Sequence, residues 1–470
     1  MPIPVISTAQ MREWERTTWA AGQTEAEVIR RVGKRIARRA RKLTRAGDTI
    51  LFLIGKGHNG DDARAAAKQL EGRRAETLEM FLPDTDLLPL EQALQEKPAL
   101  IVDGLFGIGL NRPLSDAWQK IISVINGSKV PVLAIDVPSG LNADTGGTFG
   151  AAVAATITVT IGAPKTGLLA PAAWPFVGRL EVAEDVGLIP CSLASELNWT
   201  QPGDFEHFPP ARNVAGNKGD FGHVTIIAGS LGYHGAAVLT TRGAQRAQPG
   251  LATVFTPENI LIPVAAQLQS AMVKIWKPEM KLPEKTSALL IGPGLAAPEI
   301  SEAMKKFTRE LWRTAAFPLI VDASALDFLD AELPAKNSIR VLTPHPGEAA
   351  RLLQVTTAQV QADRVAALRE LSKRFGDGWI VLKGHETLIG RRTGNIFVNC
   401  SGNPQLAQGG SGDLLAGFIA GLLAQPVLAA DVETTLRYAV WQHGAAADKL
   451  SIRRSNWTVE DLAAEIGNAR

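Results

Sequence analysis

Apolar runs alternate with amphipathic segments through the first part of the chain. Strand-like runs cover residues 49–54, 76–82, 99–103, 130–136 and 155–160, and segments of helical spacing lie between them. Such alternation is typical of a parallel sheet with helices on both faces. The first half is therefore predicted to be an α/β domain.

A polar, proline-rich stretch interrupts this alternation. Residues 197–213, LNWTQPGDFEHFPPARN, show neither the helical nor the strand period, so we predict a linker there. The alternation then resumes, from GHVTIIAGS at residues 222–230 to GGSGDLLAGFIAGLLA at residues 409–424. Because the loops of the two halves differ in residue type and order, the halves are not repeats of each other. We expect two α/β domains, residues 1–209 and 210–470.

Composition and charge identify a class of protein but no particular partner. Of the 470 residues 46% are hydrophobic and 20% are charged, with a net charge of +2, as in soluble α/β enzymes. The basic residues 30–45 have an apolar stripe and no aromatic residues, which predicts a solvated helix face and no nucleic-acid partner. Cys191 and Cys400 are too few for a disulfide framework. We expect a cytoplasmic protein without a secretory signal or membrane span.

Three strand-like runs in the first half end in loops that carry carboxylates. They are GKGHNGDDA at residues 55–63, VDGLFGIGLNRPL at 102–114 and IDVPSGLNADTG at 135–146. Ligands of open α/β sheets bind beyond the carboxyl ends of the strands, so these loops should converge on one site. The first loop begins like a phosphate-binding loop, but Asp61 and Asp62 stand where Lys and Ser or Thr are needed. Two carboxylates favour a cation or a sugar hydroxyl over a triphosphate.

The strongest signal in the second half is NPQLAQGGSGDLLA, residues 403–416. Its three glycines allow positive φ and close approach, and the helix that follows aims its free N–H groups into the loop. Such a loop suits a transferring phosphoryl group, and Asp413 at the helix start is placed to take a proton from an attacking hydroxyl. The alternative is a glycine-rich turn in which Asp413 only caps the helix.

Three further loops in the second half are weaker signals. VLKGHETLIG, residues 381–390, ends a strand in a lysine that can reach nucleotide phosphates, although Lys-Gly after a strand is often only a turn. TPHPGE, residues 343–348, holds a histidine between two prolines as either a ligand contact or a surface turn. IGPG, residues 291–294, is another close-approach loop and is weak by itself.

These motifs together resemble a known pair of enzymes. The second half resembles the ribokinase-like dehydratase that repairs hydrated NADH and NADPH, through NKGDFGHVTIIAGSLGYHGAA, IGPGL, VDASAL, LTPHPGEAARLL, VLKGHETLI, GNPQLAQGGSGDLLAG and HGAAAD. The first half resembles the NAD(P)H-hydrate epimerase, through GKGHNGDDA, DGLFGIGLNRPL, AIDVPSGLNADTG and GAPKTGLL. The resemblance implies a Rossmann-like three-layer αβα domain followed by a ribokinase-like α/β domain, in the order of the family's bifunctional members.

The resemblance also implies the chemistry. The substrates, NADHX and NADPHX, carry water at carbon six of the nicotinamide ring in R and S forms, which the epimerase interconverts. The dehydratase phosphorylates the S form from ADP or ATP with Mg²⁺, and phosphate then leaves because it is a better leaving group than hydroxide. We expect K⁺ in the epimerase and a homo-oligomeric protein.

Site residues are carried over position by position. In the dehydratase Asp413 would be the catalytic base, and the hydrate would lie against Ala236, Gly294 and His345. Residues that would bind the nucleotide and its transferring phosphoryl group are Lys383, Gly384, His385, Glu386, Thr387, Gly409, Gly410, Ser411 and Gly412.

In the epimerase, Asp136 would be the acid or base that removes and returns the ring hydroxyl. Asn59, Asp103 and Ser139 would bind K⁺ through oxygen atoms. Residues that would contact the substrate are His58, Asn59, Gly60, Asp61, Asp62, Gly107, Ile108, Gly109, Leu110, Asn111, Arg112 and Pro113. Lys165 matches another shared position of undefined role. Alternatively, Asp103 and Asp136 each cap only a turn.

Two other functions are compatible with parts of the sequence. One is a ribokinase-like kinase of a small alcohol with an N-terminal binding domain, although such kinases do not carry the N-terminal loops found here. The other is a dehydratase with a catalytically silent N-terminal domain. Asp61 supports the second alternative, since the epimerase family usually has glycine at this position.

Overall fold

The computed structural model describes residues 2–297, 300–330, 334 and 338–469. The chain divides into an N-terminal unit, Ile3–Glu196, and a C-terminal unit that begins at Leu197. The division lies before the expected boundary between residues 209 and 210, because Leu197–Thr200 is a strand paired in parallel with Ile396–Asn399. Farther along the expected linker, Phe205 is buried against Tyr438 and Trp441 of the C-terminal core.

The N-terminal unit alternates strands and helices, as its hydrophobic pattern predicts. Its strands β2 to β7 form a sheet in the order β3-β2-β4-β5-β6-β7, and each of these pairs is parallel. The elements are β1 (Ile3–Pro4), α1 (Thr8–Ala20), α2 (Glu25–Leu43), β2 (Thr49–Ile54), α3 (His58–Lys68), β3 (Arg74–Glu79), α4 (Pro83–Gln95), β4 (Leu100–Gly104), α5 (Asp116–Gly127), β5 (Val132–Ile135), β6 (Ile157–Ile161), α6 (Trp174–Val177) and β7 (Arg179–Ala183).

Two separate hydrophobic cores cover the two faces of this sheet. Ile50, Phe52 and Ile54 of β2 pack in the core that includes α2 and α3, whereas Leu51 and Leu53 pack in the core that includes α4 and α5. Successive side chains of a strand point to opposite faces, so a fully apolar strand requires helices on both sides. The predicted three-layer αβα architecture is confirmed.

The C-terminal unit is built around a larger sheet. Its strands follow the order β8-β17-β16-β15-β14-β13-β12-β9-β10-β11, and β16 is antiparallel to both of its neighbours. The elements are β8 (Leu197–Thr200), β9 (His223–Ile227), α7 (His234–Arg246), β10 (Leu251–Thr256), α8 (Leu261–Ala265), β11 (Met272–Ile275), β12 (Ala288–Ile291), α9 (Glu302–Thr314), β13 (Leu319–Val321), β14 (Arg340–Leu342), α10 (Pro346–Leu353), α11 (Thr357–Ala362), α12 (Arg364–Arg374), β15 (Trp379–Leu382), β16 (Leu388–Gly390), β17 (Ile396–Asn399), α13 (Ser411–Leu423), α14 (Pro426–Ala429), α15 (Val432–Arg453) and α16 (Val459–Glu465).

Helix α13, which follows the glycine-rich loop, lies in the middle of the C-terminal core. It is buried along its length from Leu414 to Leu423, as expected for a helix that is apolar on every face. It packs closely on α7, since a Cβ on Gly417 would lie 1.9 Å from the carbonyl oxygen of Thr240. This packing fixes the start of α13 and therefore the glycine loop. In the described part of the chain no helix combines the length and apolar character needed to cross a bilayer.

Candidate active sites

The three polar loops of the N-terminal unit meet at one edge of its sheet. They follow β2, β4 and β5, which are adjacent in the order β2-β4-β5. The amide Nδ2 of Asn59 donates to the carbonyl oxygen of Phe106 at 2.9 Å, which joins the first loop to the second. The backbone N–H of Phe106 donates to Oγ of Ser139 at 2.8 Å, which joins the second to the third. The convergence expected from the positions of the strand ends is therefore present.

Asn59, Asp103 and Ser139, the expected K⁺ ligands, are part of this junction. Ser139 Oγ donates to Oδ1 of Asp103 at 2.6 Å, and the backbone N–H of Ser139 donates to Oδ2 at 2.9 Å. The pKa of Asp103 is raised by burial, and these hydrogen bonds oppose the rise. Within the described residues, the buried Oδ1 of Asn59 has no hydrogen-bond partner. A buried acceptor without a donor is costly, so the site suits a bound cation.

Asp136 and Lys165 form a buried ion pair at the end of β5. Lys165 Nζ lies 2.5 Å from Oδ1 of Asp136, and it also donates to Oγ1 of Thr160 at 3.1 Å. The same Oδ1 accepts from Thr160 Oγ1 at 3.1 Å and from the backbone of Ile161 at 3.0 Å. Loss of one partner from such a pair costs about 3–5 kcal/mol because the other charge stays buried. Lys165, which had no defined role from the sequence, thus fixes the carboxylate of Asp136.

The adjacent residues Asp61 and Asp62 have different environments. Asp61 is partly exposed and lies 2.6 Å from Nη1 of Arg64, which also pairs with Glu79. Asp62 is only 5% exposed, and its Oδ1 has no hydrogen-bond partner among the described residues. Burial, followed by the charge of Asp136, raises the pKa of Asp62 well above its usual value. The pKa of Glu15 on α1 is raised by the same two causes.

The substrate loop predicted after β4 is mostly exposed, with Gly109, Asn111, Arg112 and Pro113 on the surface. Its start lies against the junction of Asn59, Asp103 and Ser139, since a Cβ on Gly107 would be 3.4 Å from Cβ and Cγ of Asn59. The carbonyl oxygen of Ile108 accepts from Arg12 at 3.3 Å. His58 is exposed and lies 3.1 Å from Glu25. Of the predicted substrate contacts, Asn59, Gly107 and Asp62 thus lie nearest the buried side chains of Asp103, Ser139 and Asp136.

In the C-terminal unit, the glycine loop brings Asp413 close to Lys383, a partly buried lysine. Gly410 has φ +89°, which favours glycine, and α13 begins at the next residue, Ser411. Ser411 is buried and its Oγ lies 3.3 Å from Nε2 of His443, whose pKa burial lowers to about 4. A Cβ on Gly412 would lie 3.4 Å from Nζ of Lys383. The ammonium group of Lys383 therefore lies beside the start of α13.

Carboxylates from two other strand ends surround this lysine. Nζ of Lys383 donates to Oδ1 of Asp322 at 2.8 Å and lies 3.9 Å from Oε2 of Glu348. Oγ1 of Thr343 also donates to Oδ1 of Asp322, at 2.6 Å. Burial lowers the pKa of Lys383, but the two carboxylates outweigh it and the pKa is raised. The lysine is therefore a charged ammonium at neutral pH.

The same charged side chains shift the pKa of Asp413. Burial raises the pKa of Asp413 to about 6; the charges of Asp322 and Glu348 also raise it, and the charge of Lys383 opposes them. A base whose conjugate acid has a pKa near the working pH is well suited to proton transfer.

His345 caps helix α10 through its side chain. Its Nδ1 accepts hydrogen bonds from the backbone N–H groups of Gly347 and Glu348 at 3.0 and 3.3 Å. Because Nδ1 is an acceptor, the neutral ring carries its proton on Nε2. Nε2 lies 3.6 Å from Oε1 of Glu348. The exposed side of His345 can therefore donate to a ligand oxygen but cannot accept a proton while the ring is neutral.

The loop of residues 383–387 is held in place from beneath by Arg364. This buried guanidinium donates to the carbonyl oxygens of Leu382, Lys383, His385 and Glu386. Burial lowers the pKa of Arg364 to about 10 and raises that of Glu386, which has φ +50°, to about 8. Glu386 thus combines a strained backbone conformation with a carboxyl group that is largely neutral at pH 7.

Ala236 and Gly294, the predicted hydrate contacts, touch each other. Gly294 has φ +68°, and a Cβ there would lie 2.7 Å from Cβ of Ala236. Ser230 Oγ donates to the carbonyl oxygen of Gly294 at 2.6 Å, so the loops after the neighbouring strands β9 and β12 are joined. The glycine loop contacts α7, the helix that carries Ala236, because a Cβ on Gly410 would lie 2.4 Å from Leu239 of α7.

Sequence reasoning missed Asp322, Glu348 and Arg364. Asp322 directly follows β13 and Glu348 lies in TPHPGE, so the strand-end rule that was applied to the first half would have found both. Arg364 carries no sequence signal, because its four acceptors are backbone carbonyls. Within the described residues, no group of three or more His, Cys, Asp or Glu side chains is arranged to hold a metal ion.

Comparison with known proteins agrees with this geometry. Residues 224–468 match a family model described as NAD(P)H-hydrate dehydratase, and residues 73–167 match one described as YjeF-related protein N-terminus. A bifunctional NAD(P)H-hydrate repair enzyme of Gloeobacter violaceus is 34% identical over 96% of this chain and 94% of its own length. One of Coxiella burnetii is 33% identical over 94% of this chain and 93% of its own length.

A solved structure resembles the C-terminal unit. The ADP/ATP-dependent NAD(P)H-hydrate dehydratase of Bacillus subtilis, co-crystallised with ATP and Mg²⁺, is 31% identical with a TM-score of 0.50, covering 55% of this chain and 92% of that one. The predicted ribokinase-like fold of the second half is confirmed by this similarity and by that to a ribokinase-like protein of Enterococcus faecalis. The chain belongs to the family of bifunctional NAD(P)H-hydrate repair enzymes, with an epimerase domain followed by an ADP- or ATP-dependent dehydratase domain.

Proposed function

We propose that the C-terminal unit dehydrates the S hydrate of NADH or NADPH by a phosphoryl transfer in which Asp413 is the base. The observation that carries the proposal is the group of Asp413, Lys383, Asp322 and Glu348 beside the glycine loop. A phosphoryl transfer needs a base for the attacking hydroxyl and positive charge for the transferring group. Asp413 supplies the first and Lys383 the second.

In the first step Asp413 takes the proton of the hydroxyl at carbon six as its oxygen attacks the terminal phosphorus of the nucleotide. The bond from that phosphorus to the bridging oxygen breaks, and ADP leaves from ATP or AMP leaves from ADP. The backbone N–H groups of residues 409–412 and the start of α13 hold the phosphoryl oxygens. Lys383 stabilises the charge that develops on them, and Asp322 fixes its ammonium at 2.8 Å.

In the second step the bond between carbon six and the phosphate oxygen breaks, and the proton on the neighbouring carbon five passes to the departing phosphate or to water. The electrons of the ring nitrogen assist the departure and the dihydropyridine is restored. Lys383 remains beside the phosphate and stabilises the charge that forms on it. One ammonium would thus serve both steps, held by Asp322 at 2.8 Å and 3.9 Å from Glu348.

On the nucleotide side, the loop of residues 383–387 would hold ADP or ATP, with Arg364 fixing its shape. The Bacillus subtilis relative was co-crystallised with ATP and Mg²⁺, and we carry this requirement over. Because the described side chains form no dedicated metal cluster, Mg²⁺ would be held mainly by the nucleotide phosphates, as is usual for this ion. Mg²⁺ supplies charge neutralisation when bound.

In the N-terminal unit, Asp136 would act on the ring hydroxyl and Lys165 would fix it. The junction of Asn59, Asp103 and Ser139 fits K⁺, since every donor is oxygen and Oδ1 of Asn59 has no other partner among the described residues. The hydrogen bond from Asn59 Nδ2 to the carbonyl oxygen of Phe106, 2.9 Å long, would leave Oδ1 of the same amide for the ion. The ion would order the start of the loop that follows β4.

Replacement of Asp413 tests the dehydratase assignment. The Asp413→Asn variant keeps the shape of the side chain but cannot take a proton, so we expect kcat for the S hydrate to fall by about 10²–10⁴. Binding of ADP or ATP, measured by calorimetry, should persist because Asp413 does not bind the nucleotide in this account. Turnover equal to that of the unmodified protein would refute the role of Asp413 as base.

A further inference from the structure

Epimerisation at carbon six requires proton transfer on both faces of the ring, which a single fixed carboxyl group does not provide. The hydroxyl must leave from one face of the ring and return on the other. A side chain fixed in the protein reaches one face of a bound ring, and Asp136 is fixed by Lys165, Thr160 and Ile161. A second proton-transfer group is therefore needed on the opposite side.

We propose that Asp62 is this second catalytic group of the epimerase and that it acts on the face of the ring opposite Asp136. The inference rests on the proposed epimerase function of the N-terminal unit, which it extends from one catalytic carboxyl group to two.

The two residues come from different elements at the same edge of the sheet. Asp62 lies on α3, which follows β2, and Asp136 directly follows β5, with β4 between these two strands. They are close enough for the charge of Asp136 to raise the pKa of Asp62. Approach from two elements would allow the two carboxyl groups to reach different faces of a bound ring. The loop after β4, which carries the predicted substrate contacts, leaves from the middle strand.

The start of α3 is held firmly in this position. A Cβ on Gly60 would lie 2.0 Å from the carbonyl oxygen of Gly55, and a Cβ on Gly104 would lie 2.5 Å from Cβ of Ala63. The helix thus packs directly on the ends of β2 and β4. Asn59, whose unpartnered Oδ1 marks the cation junction, precedes Asp62 by one helical turn and so lies on the same face of α3.

The hydrogen bonding of Asp62 differs from that of Asp136. Oδ1 of Asp136 accepts three hydrogen bonds, one of them from the amino group of Lys165. Oδ1 of Asp62 is buried and accepts none among the described residues. Burial and the nearby charges of Asp136, Asp61, Glu15 and Glu25 raise the pKa of Asp62, which therefore holds a proton to higher pH. Carboxyl groups in contrasting environments commonly divide acid and base roles.

The step is balanced without any oxidant or reductant. Asp62 gives its proton to the hydroxyl as the bond from carbon six to oxygen breaks, and the lone pair of the ring nitrogen forms a C=N bond, releasing water. A water molecule then adds to carbon six from the other face, Asp136 takes its proton, and the electron pair returns to nitrogen. Proton exchange with solvent resets the two carboxyl groups, and the reverse reaction exchanges their roles.

The test uses the full chain with K⁺, Mg²⁺, ADP or ATP and a mixture of R and S NADPH hydrate. Recovery of the S form reports the dehydratase, and recovery of the R form above the spontaneous rate reports the epimerase. We expect Asp62→Asn to slow R-form recovery by about 100-fold or more and to leave S-form recovery unchanged. Asp62→Glu should retain more activity than Asp62→Asn, since it keeps a proton donor.

Two controls separate catalysis from folding and cation binding. Glu71→Gln removes a surface carboxylate that pairs with Arg41 on the neighbouring helix α2, and it should change neither rate. The KCl concentration that half-saturates R-form recovery should be the same in Asp62→Glu as in the unmodified chain. A higher KCl requirement, with the rate restored at high KCl, would identify Asp62 as a cation ligand and overturn the inference.

The remaining outcomes are distinct. Normal R-form recovery in Asp62→Asn would overturn the inference alone and leave Asp136 as a single acid and base. Failure of the unmodified chain to recover the R form above the spontaneous rate would overturn the proposed epimerase function, and the inference with it.

Discussion

At the scale of single residues, the environment of a carboxyl group decides its role. Asp61 and Asp62 are neighbours in the sequence, which indicates only that both are acidic. In the described structure Arg64 pairs with Asp61, whereas Asp62 is buried and its Oδ1 has no hydrogen-bond partner. The charge that departs from the family pattern is thus paired with Arg64 near the surface, although it still contributes to the raised pKa of Asp62. This pairing weakens the sequence argument for a silent N-terminal domain.

The charges around Asp413 predict the pH dependence of the dehydratase. Asp413 must be ionised to act as base and its pKa is about 6, so kcat/KM for the S hydrate should fall as the pH drops through about 6. Asp322 and Glu348 raise this pKa and Lys383 lowers it. Asp322→Asn should therefore move the acid limb to lower pH, and Lys383→Met should move it to higher pH.

The same two variants separate positioning from charge. Lys383→Met removes the cation beside the phosphoryl group, so we expect kcat to fall by about 10²–10³. Asp322→Asn keeps the lysine and should have a smaller effect on kcat. Profiles of kcat/KM from pH 5 to 9 measure both effects, and acid limbs that stay fixed in both variants would contradict the electrostatic account.

At the scale of elements, close packing of α3 positions the epimerase residues. A Cβ on Gly60 would lie 2.0 Å from the backbone oxygen of Gly55, so Gly60→Ala must displace the first turn of α3. We expect a loss of stability of about 1–3 kcal/mol in the N-terminal unit and a fall of at least tenfold in epimerase activity. S-form recovery by the dehydratase, in the same sample, should be unchanged. A fully active Gly60→Ala epimerase would show that the position of α3 is not critical.

The loop of residues 383–387 depends in the same way on an element outside the site. Arg364 at the start of α12 binds four of its carbonyl oxygens, so Arg364→Met should loosen the loop. We expect KM for the nucleotide to rise by about tenfold, the equivalent of one charged hydrogen bond, with a smaller change in kcat. Nucleotide titration at saturating S hydrate measures this, and an unchanged KM would contradict the supporting role.

Local patterns predicted the elements well and their partners less well. The apolar runs located β2, β4 and β5 within about two residues, because buried strands need uninterrupted apolar sequence. The sequence pattern predicts a linker where the four-residue strand β8 lies, because this strand is next to Pro202 and pairs with β17, far along the chain. The bond from Lys383 to Asp322 spans 61 residues, which no local pattern encodes.

At the scale of the whole molecule, each unit contains a separate group of catalytic candidates. Asp136, Lys165 and the junction of Asn59, Asp103 and Ser139 lie in the N-terminal unit, and Asp413 with its charged neighbours lies in the C-terminal unit. A replacement in one group should therefore spare the activity of the other. Because R-form recovery is observed through the dehydratase, S-form recovery serves as the internal control for replacements in the N-terminal unit.

The most direct test of the account is recovery of dihydropyridine absorbance from a mixture of R and S NADPH hydrate by the full chain with Mg²⁺, K⁺ and ADP or ATP. We expect complete recovery with the unmodified chain. Asp136→Asn should stop at the S fraction, apart from spontaneous epimerisation, and Asp413→Asn should recover neither form. Absence of recovery with either nucleotide, or complete recovery at the normal rate by both variants, would contradict the account.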